Sequence, residues 1–191
     1  MAQAAVTEVD GVTVEWIALE KELLRVTRLW RRNAQAKLRR ENKNLTGELK
    51  RSMKTELYIM DGALVADITP RVTYWEFVDG GVRGAQSSPY PRQGENPGGG
   101  RPFQYRDKKP PIAVIKEWMK LRGIKNRDAS GKFKKGDGLA YAIQHSIWSR
   151  GIKPTFFLSD TGKRIEQKYA ASIAAAYAED LGNAIAKMAE E

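Results

Sequence analysis

The 191-residue chain has no cysteine and a single histidine, His145. The first absence excludes a disulfide framework and a thiolate metal site, and it fits a reducing compartment. The second leaves no partner with which His145 can complete a zinc site. No Gly-x-Ser-x-Gly nucleophile motif is present, so a serine triad has no anchor. No run of 18 apolar residues occurs, so no membrane-spanning helix is expected. The opening MAQAAVTEVDG has neither a positive start nor an apolar core, so no signal peptide is expected. The remaining acid–base chemistry rests on Asp61, Asp67, Glu76 and Asp79, the best carboxylates for a metal-dependent nuclease. Of these, Asp61 has a turn role that accounts for it. No cofactor is expected.

What the chain does contain is positive charge and a sizeable apolar fraction. Its formal net charge is +10, its pI is near 9.8, and 41% of its residues are hydrophobic. The apolar content supports a core. The charge favours acidic partners, nucleic acid first among them. Phe103 to Lys109 is the stretch in which aromatic residues and cations interleave, as they do in single-strand binders.

Local patterns place the elements. Residues 1–12 read as a short arm or edge strand. From Glu15 to Glu41, Trp16, Leu19, Leu23, Val26 and Trp30 repeat at steps of three and four, one apolar stripe of a long helix. After a break at Asn42 to Asn44, Thr46 is placed to cap a short helix, with Leu45, Leu49 and Met53 on one face. Glu56–Met60 and Ala63–Ile68 flank Asp61-Gly62, a two-residue link typical of a hairpin. Val72 to Gly84 then packs Tyr74, Trp75 and Phe77 beside Glu76 and Asp79 and breaks on Gly80-Gly81. The spacing of Tyr74, Phe77 and Val78 predicts one amphipathic helical turn, a core anchor.

Residues 84–103 are dominated by glycine, proline and small polar residues. They read as a long mobile loop for docking a partner, through Tyr90, Arg92, Arg101 and Phe103. The Gly98-Gly99-Gly100 run lacks the Lys-Ser/Thr of a phosphate loop. Pro110-Pro111 opens a helix with Ile115, Trp118, Met119 and Leu121 on its apolar side. Asp137 caps the next, with Leu139, Ala142, Ile143, Ser146 and Ile147 facing inward. Both end in Arg-Gly-Ile-Lys, where glycine takes a left-handed position and the isoleucine folds back. Pro154–Leu158 reads as a strand or docking segment. Thr161 then caps a helix to about Met188, buried through Ile165, Tyr169, Ile173, Tyr177, Leu181, Ile185 and Met188. Its alanine-lined face at Ala170, Ala174, Ala175 and Ala178 permits close approach of another subunit.

Three of these pieces together carry a resemblance. Thr46-Gly47-Glu48-Leu49-Lys50-Arg51-Ser52-Met53 resembles the TG-x-L-x-x-S-hydrophobic signature of tail-completion and head–tail joining proteins of tailed bacteriophages. Tyr74 to Gly80 is similar to that family's tyrosine-aromatic-acid-glycine segment. Pro154 to Leu158 is similar to its proline-phenylalanine-leucine element before the last helix. The loop at 84–103 and the helices at about 110–122 and 137–150 exceed the compact version of the family.

The resemblance implies an α+β fold in one domain, 1–191: a small, mainly antiparallel sheet packed with long N- and C-terminal helices, plus two inserted helices. It implies a structural virion protein, not an enzyme. The protein would form a homo-oligomeric ring, typically a hexamer, at the neck and complete or terminate the tail. Its partners would be further copies, neighbouring neck and tail proteins, and DNA passing non-specifically through the lumen, with no membrane. It would sit in the virion neck or tail, and in the host cytoplasm during assembly. Thr46, Leu49, Tyr74, Trp75, Phe77, Gly80, Gly81 and Phe157 would be its structural anchors. The alternative from charge alone is a non-specific DNA- or RNA-binding module.

Overall fold

The computed structural model describes residues 5–9, 11–43, 46–86, 103–127, 130–132 and 136–190. The fold is α+β, with small, mainly antiparallel sheets, a long helix near each end and two helices inserted between them. Residue contacts divide into two compact units. The first comprises Met1–Lys37, Glu48–Val72 and Phe157–Glu191; the second comprises Leu38–Gly47 and Thr73–Phe156.

The first unit starts with a hairpin that the sequence reading left as an arm. Strands β1 (Ala5–Val9) and β2 (Val12–Trp16) pair antiparallel around Gly11, whose φ is +82°. Val12, Val14 and Trp16 alternate with polar residues and point inward, so Trp16 belongs to a strand rather than to the helix. Its indole Nε1 donates to Thr7 Oγ1 at 2.6 Å, and its ring stacks on Tyr177 with centroids 5.0 Å apart. Helix α1 (Ile17–Arg40) follows immediately. Helix α2 (Glu48–Ser52) begins after Gly47, so Thr46 stands two residues ahead of it rather than in the last position before it. Leu49 is buried there, and Gln35 Nε2 donates to the Lys50 carbonyl, tying α2 to α1.

Strands β3 (Met53–Met60) and β4 (Ala63–Pro70) form the expected hairpin, with Asp61 and Gly62 both at positive φ. Helix α6 (Ser159–Glu190) runs antiparallel to α1. Three contacts fix the pair. The buried Asp180 carboxylate accepts from Ala18 N at 3.0 Å and Leu19 N at 2.8 Å. The Arg25 guanidinium lies 4.9 Å from the Tyr169 ring, and Lys37 Nζ bonds Asp160 at 2.8 Å. Phe157 is fully buried before α6, and Thr161 lies inside its first turn, its hydroxyl donating back to the Phe157 carbonyl rather than capping the helix.

The buried line of α6 differs from the expected one. Ile165 is buried, but farther along the buried residues are Ala176, Asp180 and Ala184, while Tyr177, Ile185 and Met188 are exposed. Asp180 has to reach the α1 N-terminus just after β2, and there α6 lies close to β2, with Ala184 packed against Val14, Trp16 and Leu19.

In the second unit, α3 (Trp75–Asp79) is the predicted helical turn. Its buried residue is Asp79, whereas Tyr74 and Phe77 are each 38% exposed, so the aromatic side is not the anchor. Trp75 is half-buried, and the Phe77 ring meets Phe103 at 4.1 Å. The anchoring is done by backbone: Thr155 N donates to the Val78 and Asp79 carbonyls and Phe156 N to Asp79 O at 2.9 Å. Gly81, at φ +74°, lies so close to this segment that a Cβ would come 2.7 Å from Ile152 O and Pro154 N. Pro154–Leu158 is therefore a buried turn segment and not a strand.

Strands β5 (Val82–Arg83), β6 (Phe103–Gln104) and β7 (Gly151–Ile152) make a small sheet, parallel between β5 and β6 and antiparallel between β5 and β7. Helices α4 (Ile112–Leu121) and α5 (Gly138–Arg150) pack through Ile115, Met119 and Ala140, with Ile143 and Ile147 against them. Ala142 and Ser146, expected inside, are exposed, as are Trp118 and Leu121. The two Arg-Gly-Ile-Lys stops diverge. Gly123 is left-handed and Ile124 folds back, its N–H on Met119 O at 2.9 Å. Gly151 instead enters β7, where a Cβ would fall on the Val82 carbonyl. The chain between 87 and 102, including Tyr90, Arg92 and Arg101 of the expected docking loop, lies outside the described residues.

Burial ranks the expected effects of mutation. Phe157→Ala costs about 3–5 kcal/mol, and Asp180→Ala about 2–3 kcal/mol through two lost charge-assisted bonds. Phe77→Ala costs only about 1–2 kcal/mol, because its ring is part-exposed. Urea unfolding of the three variants checks the order; Phe77→Ala at or above Phe157→Ala would contradict it.

Candidate functional site

The β3–β4 hairpin carries the strongest surface signal in the first unit. Near its root the pleat sorts residues as expected: Met53, Ile68 and Pro70 are buried, while Lys54 and Thr69 on the other face are exposed. Toward the tip this sorting stops. Ile59 and Leu64 lie across from each other on one face, and Tyr58 and Val65 on the other, so both faces are apolar. Tyr58, Ile59 and Met60 are 42%, 45% and 53% exposed. Among the described residues the sheet has two strands, which leaves a backbone row on each side without a strand partner.

A second feature follows from the α1–α6 pairing. An open groove of about 1330 Å³ runs between the start of α1, β2 and the second half of α6. Thr13, Ile17, Lys21, Ala175, Asn183 and Met188 are among its walls. Ala170, Ala174, Ala175 and Ala178 are all exposed, so this face of α6 has no partner within the unit, and Ala175 opens directly on the groove.

The walls hold fixed charge. Glu22 takes two bonds of 2.6 Å from Arg25. These, against the opposing effect of burial and with help from Ser172, hold its carboxyl down at about 2. Outside the groove, at the start of α6, Asp160 is held below the usual carboxylate range chiefly by Lys37, with Arg164 assisting.

The sequence-derived chemical candidates stay apart from any such constellation. Among the described residues no three His, Asp or Glu side chains group as a metal site. Asp61 sits in the hairpin turn. Asp67 accepts from Ile68 N and Thr69 Oγ1, and Asp79 is buried. His145 is exposed on α5, its ring 5.5 Å from that of Trp148. Among the described residues no helix is long and apolar enough to cross a membrane. The spacing in the sequence gives the hairpin but not its two-faced apolar tip. That signal was present, because Leu57 to Met60 is an unbroken run where a half-exposed strand should alternate.

Both depressed carboxyls have folded values below their unfolded ones. Their contribution to stability is therefore complete above the ordinary carboxylate range and is lost as pH falls, for Glu22 between 4.5 and about 2. The double variant Glu22→Gln, Asp160→Asn should lose less stability over that interval than the native chain does. Urea midpoints measured along the pH series check this, and parallel curves would contradict it.

No protein-family model, no curated protein and no solved structure matches the chain.

Proposed function

We propose that the protein is a structural component of a tailed-bacteriophage virion, without catalytic activity, that forms a ring at the head–tail junction and completes or terminates the tail. The observation that carries this reading is the hairpin tip, where Tyr58 and Met60 on one face and Ile59 on the other are exposed, beside strand edges that have no strand partner among the described residues. A strand end that is polar on one face suits water; one that is apolar on both suits a covering partner. The motif at Thr46–Met53, which leads straight into β3, supplies the link to phage tail-completion and head–tail joining proteins.

The partner in this reading is another copy. A ring needs two different patches on each subunit, so that the contact is heterologous and the rotation closes. The hairpin tip is one patch. The alanine face of α6 with its groove is the other, since alanines let a neighbouring strand or helix approach closely. A permanent interface of this kind buries well over about 1,000 Å². Six copies would enclose a lumen for DNA, with neck and tail proteins above and below. The ring's station is the virion neck or tail, reached by assembly in the host cytoplasm.

Ile59→Lys and Ala175→Arg test the two patches separately. Each should keep the native circular dichroism spectrum and urea midpoint while lowering the assembled fraction by about tenfold or more. Normal assembly by both folded variants would contradict the reading.

A further inference from the structure

The positive charge of this chain is concentrated. Residues 103–153 hold thirteen Lys and Arg against four Asp and Glu, a surplus of nine, where the whole chain has +10. This stretch lies entirely in the second unit, where it forms β6, α4, α5 and β7. Lys116 pairs with Asp137 at 2.5 Å. Arg106, Lys108, Lys109, Lys120 and Arg150 are exposed, and none has a carboxylate within 4.0 Å among the described residues. A solvated basic surface normally mixes both signs in near balance; here the cations outnumber the acids about three to one.

The cations gather at both ends of one face of α5. At its start, an open hollow of about 440 Å³ is lined by Lys116, Lys120 and Lys125, with Asp137 in the same wall paired to Lys116. Toward its end, the segment before α4 is strapped along the helix. Gln144 Nε2 donates to the Pro110 carbonyl at 2.6 Å, and Trp148 Nε1 donates to the Arg106 carbonyl at 2.7 Å. That strap sets Lys109 Nζ 5.2 Å from the Trp148 ring centroid, a cation–π contact that fixes the ammonium in place. Asp137, Tyr141, His145 and Trp148 follow one another at steps of four, four and three, so they share this face. Between the two cationic ends stand the exposed rings of Tyr141, 54% accessible, and His145. The face spans roughly 16 Å along the helix axis.

Cations alone would suit any polyanion. The exposed rings between them decide the class. An acidic protein surface offers carboxylates and nothing for an aromatic face to stack on. A duplex has its bases already stacked on each other. An unpaired strand offers phosphates and free base faces together.

We propose that this face of α5 binds single-stranded nucleic acid without reading its sequence. Lys109 and Lys120 hold phosphates, and Tyr141 and His145 stack on unpaired bases. This goes beyond ring assembly and does not depend on it.

The test is fluorescence anisotropy of a labelled mixed-sequence single strand with the full chain, over a salt series. Affinity should fall linearly in log–log form, by about 0.7 in slope per phosphate neutralised. Lys109→Ala and Lys120→Ala should each weaken binding similarly for all sequences and lower that slope by about 0.7. Tyr141→Ala should weaken binding about tenfold and leave the slope unchanged. Lys163→Ala, an exposed site on α6, should change nothing. All variants are first matched to the native chain by circular dichroism. Three results would overturn the proposal. One is no binding at low salt. The second is competition by polyglutamate equal to that of the strand at matched charge, which would favour an acidic protein. The third is duplex bound as tightly as single strand with Tyr141→Ala silent.

Discussion

The Asp180 carboxylate at the start of α1 is the contact on which the first unit depends. Helix α1 begins directly after β2, with no loop in which a local side chain can cap it. Its first free N–H groups, at Ala18 and Leu19, are taken instead by a buried acid more than 160 residues away. A negative charge there also faces the positive end of the helix dipole. Leaving those donors unpaired inside the unit would cost the full desolvation of the groups. The constraint propagates. Asp180 has a short side chain, so α6 comes close to β2 and the first turn of α1, and Ala184 sits in that seam against Val14, Trp16 and Leu19. Trp16, delivered by the β1–β2 hairpin, covers the same seam and stacks on Tyr177.

The consequences of that close approach appear on the outside. With small residues inward, Ile185 and Met188 turn outward, and so does the alanine row at Ala170, Ala174, Ala175 and Ala178. The groove between α1, β2 and α6 is the space left where two helices are tied at Asp180 and again at Arg25–Tyr169. At the hairpin tip Leu64 packs against the cluster of Val14 and Trp16, while Tyr58, Ile59 and Met60 stay exposed. The proposed ring contact brings these two surfaces together between copies, each supplying what the other lacks: apolar projection on one side, a shallow small-residue face on the other.

How much of this was legible in the sequence depended on whether local or distant groups set the outcome. Asp61-Gly62 fixed the hairpin because the turn needs positive φ at both positions, a purely local demand. Helices α4, α5 and α6 were legible from apolar spacing and proline or glycine punctuation. The buried side of α6 was not. Side-chain size favoured Tyr177 and Ile185, but a cap on a distant helix favoured Asp180 between alanines. In the same way Phe77 looked like a core residue by type, whereas hydrogen bonds from Thr155 and Phe156 to the carbonyls of α3 do the anchoring. Of the candidate surfaces, the alanine face was visible as composition. The basic-aromatic face of α5 was only hinted at by Phe103–Lys109. Its rings come from Tyr141, His145 and Trp148, more than 30 residues further on, and only the strap from Arg106 to Pro110 brings them together.

The central claim is that this chain closes into a ring through its own surfaces. Its most direct measurement is the mass of the purified full chain in solution, by sedimentation across a wide concentration range at physiological salt. The account predicts one discrete closed oligomer, in exchange with monomer and with nothing larger above it, because a heterologous contact that closes leaves no free patch. A single monomeric species at every concentration would contradict it.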